Sequence, residues 1–395
     1  MKLNMPALLA IVSLLVSVPF FIVILDAPLS AMLKFVLSVV VLAGCGFTVG
    51  KAFKFESYAG LFLLRSQHGL GLIDKIAAKY PSAWEQFAQI GMVVGYGSFA
   101  YFLMGNKKLE WKKTLFTYGI GIFLLVLISA IIPLAMSTLL SMVNGGAEFA
   151  TAGTKLQAQT AQFEYMRYVS LALMVFGGIS LMATTSVVMY AAVVAGAIGG
   201  ALMGNVAPLQ HTSPGGMPIL PGVNLDLIQG LLALSVVLVV HEGMHGILAR
   251  IYKMPLKSAG LVFFGFLPFG AFVDIDEKVL FSEKKEKQNA VLVAGTAANF
   301  ATSLIFLGLL LGFVALMGGV QPGVTPPGWA VYLARFLALT FALNTVVASV
   351  NLIPLPMFDG HHIMKNMVGN KHVANAITYI VGLSFLLTLF PWVLR

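Results

Sequence analysis

His241-Glu242-Gly243-Met244-His245 sets two imidazoles four residues apart with a carboxylate between them. The surrounding run LLALSVVLVVHEGMHGILAR has helical length and no internal proline. On a helix, His241 and His245 fall on one face, one turn apart. Two imidazoles so placed can both reach a zinc ion, and Glu242 beside them can act on a bound water. By composition such a pattern arises about three times in a thousand chains of this kind, so chance is a poor account of it. The apolar setting strengthens the case, because ionisable groups are costly in hydrocarbon and point to function. The bland reading is a self-satisfied His/Glu cluster tying helices together.

A catalytic zinc site wants three protein ligands and one open position. Asp359 follows an apolar run directly, in Asn351-Leu352-Ile353-Pro354-Leu355-Pro356-Met357-Phe358-Asp359-Gly360. Pro354 and Pro356 break a helix there, and unwound chain at membrane depth is tolerated where it lines a cavity. Gly360 allows close backbone approach. A capping Asp at an ordinary helix-ending turn explains the same residues equally well.

These residues must be held by membrane helices. Of 395 residues, 59% are hydrophobic and 10% charged. Soluble domains carry about a quarter charged residues, so the chain is read as an all-α polytopic membrane protein in a lipid bilayer. The net charge of +9 fits basic cytoplasmic loops, and without a basic soluble module nucleic-acid binding is excluded. Cys45, the single cysteine, lies in an apolar run, which leaves no disulfide framework and no cysteine zinc cluster. Lys2 and the apolar residues 7–25 imitate a signal peptide, but their length favours a retained first helix.

Candidate spans are 7–25, 31–50, 86–104, 114–143, 168–203, 225–250, 288–317, 329–353 and 373–394, giving about eight or nine transmembrane helices. Residues 51–85 mix Lys51, Lys54, Arg65, Lys75 and Lys79 with leucines and isoleucines, and read as an amphipathic surface helix or a solvated loop. The basic stretch 250–287 belongs in the cytoplasm, and 204–224 and 318–328, without Lys or Arg, face outward. Counting spans backwards from there leaves 105–113, with four lysines, on the outside, against the rule. The overlong run 168–203 is the suspected cause. Two domains are expected: 1–200, a membrane region without chemistry, and 201–395, which holds the chemistry.

HExxH on an apolar helix, followed over a hundred residues later by NxxPxPxxDG, resembles the site-2 protease family of intramembrane metalloproteases. Residues 257–260 leading to 270–277 look like the hairpin that follows the motif in archaeal and bacterial members. Ala294-Gly295-Thr296-Ala297-Ala298-Asn299-Phe300 is similar to their AGPxxNF segment, with Thr296 in the proline's place. The likeness covers about 201–395. It implies one zinc ion per chain bound by His241, His245 and Asp359, with Glu242 as catalytic base. It also implies Asn351 at the substrate or developing oxyanion, and Asn299 and Gly360 as supporting or substrate contacts. The substrate would be a transmembrane protein, cut near the cytoplasmic side of the cell membrane. No room is seen for the PDZ or CBS domains of other members.

A transmembrane substrate hides its amides in its own helix and must unwind. A small membrane-associated β-hairpin near 260–275, turning at Leu267-Pro268, is expected to present an edge strand to it, with 261–266 as the strand to test. An ion-coupled transporter and a catalytically silent relative are the competing readings. A transporter has no need of Glu between two His at this spacing, and all four chemical residues are present against a silent relative. Lesser signals take bland readings. His361 and His362 could support the site as donors or auxiliary ligands, but one or both are expected simply to face water. His68 and His211 are read as solvated, Asn344 as an interhelical hydrogen bond, and the methionines as filler.

Overall fold

The computed structural model describes residues 5–105, 111–143, 164–216, 219–319 and 326–393. Among them, eight helices are long and apolar enough to cross a membrane. They are α1 (Met5–Asp26), α2 (Ala31–Phe53), α6 (Trp111–Val143), α7 (Glu164–Leu202), α9 (Leu227–Ile251), α11 (Lys285–Leu316), α12 (Gly328–Asn351) and α14 (Lys371–Val393). The chain is a multi-pass membrane protein. Shorter helices complete it: α3 (His68–Lys79), α4 (Pro81–Tyr96), α5 (Ala100–Leu103), α8 (Ala207–His211), α10 (Glu277–Ser282) and α13 (Asp359–Val368).

The expected span 86–104 is not a single helix. It stops after 16 residues as α4, turns through Gly97 at φ 53, and resumes as a 3₁₀ turn and the short α5. This segment returns to the face where α11 begins, since Asn289 Nδ2 donates to the Leu103 carbonyl at 3.1 Å and Gly105 abuts the Glu286 side chain. Gly105 therefore lies beside the start of α11, at the end of the basic stretch 250–287. Lys107 and Lys108 lie outside the described residues. The overlong run 168–203 is one 39-residue element, α7, broken at Gly178 (φ 64, ψ −160).

Residues 51–85 also differ from expectation. Only α3 is an amphipathic helix there. Before it, β1 (Ser57–Tyr58) and β2 (Leu61–Ser66) are strands. β2 pairs antiparallel with β3 (Leu256–Phe264), which pairs with β4 (Leu267–Ile275), in the order β1-β2-β3-β4. The hairpin expected near 260–275 is thus half of a four-stranded sheet. Its two-residue turn is Gly265-Phe266, with Gly265 at φ 61 supplying the left-handed conformation a tight hairpin needs. Pro268 falls within β4 at a register shift, where its missing N–H costs no regular ladder bond. Because β3 is interior, residues 261–264 are paired on both sides. β4 is one of the sheet's two outer strands among the described residues, the short β1 being the other.

Arg65 clamps this junction. It donates to Glu56 Oε2 at 2.7 Å and Ser258 Oγ at 2.7 Å, and pairs with Asp274. Arg250 at the end of α9 pairs with Asp74 of α3 at 2.7 Å. The buried core runs through α3, α4, α9 and α11 and includes Met92, Val93, Leu248, Val291, Val293 and Leu352.

Candidate metal centre

α9 carries His241 and His245 into the interior, where both are buried. α12 ends at Asn351, the chain unwinds through the two prolines, and Asp359 opens α13. Asp359 Oδ2 lies 3.3 Å from His241 Nε2 and 3.4 Å from His245 Nε2. One ligand atom from each of the three residues falls within 4.8 Å of the others. Ligands about 2.0–2.2 Å from a tetrahedral zinc stand roughly 3.4 Å apart, so both His–Asp spacings fit.

The far side of each imidazole is also prepared. His245 Nδ1 is 2.7 Å from the Val291 carbonyl, so Nδ1–H donates there and Nε2 is the nitrogen turned toward Asp359, the one a metal would take. His241 Nδ1 meets the Asn299 side-chain amide at 3.2 Å. Asn299 Oδ1 is otherwise buried without a partner. Turning the amide over lets Oδ1 accept from an Nδ1–H and frees His241 Nε2 for a metal in the same way. The donor set, its tautomers and the orphaned Oδ1 all suit a divalent zinc-like ion.

Gly295, to which the sequence assigns no task of its own, touches both rings. A Cβ there would sit 2.5 Å from His245 Nε2 and 2.8 Å from His241 Nε2. α11 can lie against both rings only because this position has no side chain.

Glu242 faces a cleft of about 590 Å³ that is also lined by Val273, Asn351, Asp359 and His362. The Val273 N–H donates to Glu242 Oε2 at 3.2 Å, tying the carboxylate to β4. Asn351 reaches the cleft wall. Gly360 instead packs on the Leu352 backbone, where a Cβ would be 2.4 Å from the carbonyl oxygen.

Several lesser expectations change. His361 is buried, with Thr378 Oγ1 at 3.3 Å from its Nδ1, because the first turn of α13 faces α14. His362 lines the cleft and packs on Phe281 at 4.8 Å between ring centroids. Burial, and then the Lys365 charge, lower its pKa from the ordinary value. Asn344 bonds within its own helix, Nδ2 donating to the Thr340 carbonyl at 2.8 Å, rather than across helices. His211 is exposed, and the His68 side chain lies outside the described residues.

Residues 229–326 and 326–389 match Peptidase family M50, the site-2 protease family. The C-terminal region is of the M50 type. The matched stretch contains the two histidines, Glu242, Asn299, Asn351 and Asp359. An uncharacterized protein of Methanocaldococcus jannaschii is 32% identical over 109 residues, covering 28% of this chain and 29% of that protein. The chain thus spans under a third of that relative's length. No solved structure matches the chain. M50 proteases are zinc-dependent, and the His-His-Asp cluster is a group able to hold a metal ion.

Proposed function

We propose that this protein is an intramembrane zinc endopeptidase that hydrolyses peptide bonds in or near transmembrane segments of other membrane proteins. What carries the reading is the convergence of His241, His245 and Asp359 beside Glu242 at a cleft, within the M50-type region. One zinc ion held by the first three would supply Lewis acidity toward a water molecule and the scissile carbonyl.

The remaining work falls to the chain. Glu242 takes the water's proton and returns it to the leaving amine nitrogen. Its bond from Val273 keeps the carboxylate aimed into the cleft rather than free to rotate. Asn351, on the same wall, offers its amide N–H groups to the oxyanion. Val291 and Asn299 hold the two imidazoles in orientation.

β4 borders the cleft through Val273, Asp274 and Ile275. Since the Val273 N–H points away from β3 toward Glu242, strand alternation sends the Ala271 N–H to the same outer side. An unwound substrate segment can add there as a further strand, which brings its backbone alongside the carboxylate. Residues 201–395 are the catalytic part in this account, and 1–200 a membrane region that frames it. The basic stretch 250–287, part of which lines the cleft, argues for an active site toward the cytoplasmic face of the cell membrane.

The test is incubation of the purified chain with a transmembrane model substrate. Cleavage should be abolished by a chelator and restored by zinc. Cleavage that persists in metal-free protein would refute the proposal.

A further inference from the structure

The Asp359 loop is gripped by α7, a helix from the middle of the chain. The Ser180 hydroxyl, buried in α7, donates to the Leu352 carbonyl at 2.7 Å. Leu352 is fully buried and begins the unwound stretch that ends at Asp359. Its carbonyl is pressed from the other side by Gly360, whose added Cβ would come within 2.4 Å of the oxygen. The residue next to Asp359 therefore rests on the same carbonyl that Ser180 holds.

A crossing of two broken helices delivers Ser180 to this point. A Cβ on Gly178 would lie 2.4 Å from the Gly95 carbonyl and the Tyr96 nitrogen, and one on Gly97 would lie 2.4 Å from the Val175 carbonyl. Both glycines have positive φ, 64 and 53, so neither close approach nor backbone conformation would tolerate a side chain. Ser98 Oγ adds a bond to the Val175 carbonyl at 3.0 Å. Gly95 itself packs on the Leu352 side chain, with Cδ2 3.1 Å from an added Cβ. The α4–α7 crossing and the Leu352 loop are thus one contiguous backbone contact.

We propose that Ser180 is a positioning residue which, by holding the Leu352 carbonyl, sets Asp359 against His241 and His245. The inference rests on the zinc-centre reading above and assigns a task to the N-terminal region. Removing the hydroxyl leaves a buried carbonyl without this donor, and the loop relaxes away from the two histidines. Partners that orient metal ligands typically change metal affinity by 10–100-fold when lost.

The experiment uses the full chain in detergent, as wild type, Ser180→Ala, Ser180→Thr and the control Ser186→Ala. Zinc affinity is read by competition with a chelating dye, and ligand geometry by the visible spectrum of the cobalt(II)-loaded protein. Ser180→Ala should bind zinc at least tenfold more weakly, with an altered cobalt spectrum and a lower kcat at unchanged KM. Ser180→Thr, which keeps the hydroxyl, and Ser186→Ala should match wild type. Wild-type affinity and spectrum in Ser180→Ala, or an equal loss in Ser180→Thr, would overturn the inference alone. A wild-type chain that binds no zinc would instead fell the metal-centre reading beneath it.

Discussion

Gly295 lies against His245 so closely that a methyl group at its Cα would stand 2.5 Å from the ring nitrogen facing Asp359. The packing of α11 on α9 and the geometry of the metal centre are therefore the same contact. Gly295→Ala must push the imidazoles or the helix aside, at a cost of about 1–3 kcal/mol of stability for an overpacked site. We expect zinc affinity to fall more than tenfold by chelator competition. Unchanged affinity would show that the rings do not ligate where they stand.

Asn299 supports the other imidazole. Asn299→Ala removes the partner of His241 Nδ1, leaving the ring free to change tautomer and rotate. Zinc affinity should drop about 10–100-fold, while Asn299→Asp, which still offers an acceptor, should lose less. An alanine variant that holds zinc as wild type does would remove Asn299 from the account.

The site was legible in the sequence to the extent that its residues are neighbours in the chain. His241, Glu242 and His245 are displayed by one helix, so spacing alone places them. Asp359 sits beyond two prolines on another element, and spacing could not choose between ligand and cap. The family likeness carried that assignment. Hydropathy located the spans well but not the break at Gly97, because a glycine within an apolar run looks the same whether or not its φ is positive.

The sheet was only half visible. LFLLRS at 61–66 is too short for periodicity to separate strand from helix, and its partner lies about 200 residues away: Leu63 faces Val262. Cysteines placed at these two positions should be joined by a short bismaleimide, giving a cross-linked peptide by mass spectrometry. Buried Cys45 is the one native thiol. Failure to link in folded protein would contradict the pairing of β2 with β3.

The role given to β4 has its own test. Ala271→Pro deletes an outward N–H from the outer strand. It should lower kcat/KM on a transmembrane substrate at least tenfold while zinc affinity stays within about twofold. Equal cleavage by this variant would exclude strand addition at β4.

The central claim is that Glu242 performs proton transfer at a centre held by His241, His245 and Asp359. The most direct measurement compares wild type and Glu242→Gln for zinc content and for cleavage of the same transmembrane substrate. Each should carry one zinc ion per chain, and only the wild type should cut. A zinc-loaded Glu242→Gln that cleaves at the wild-type rate would contradict it.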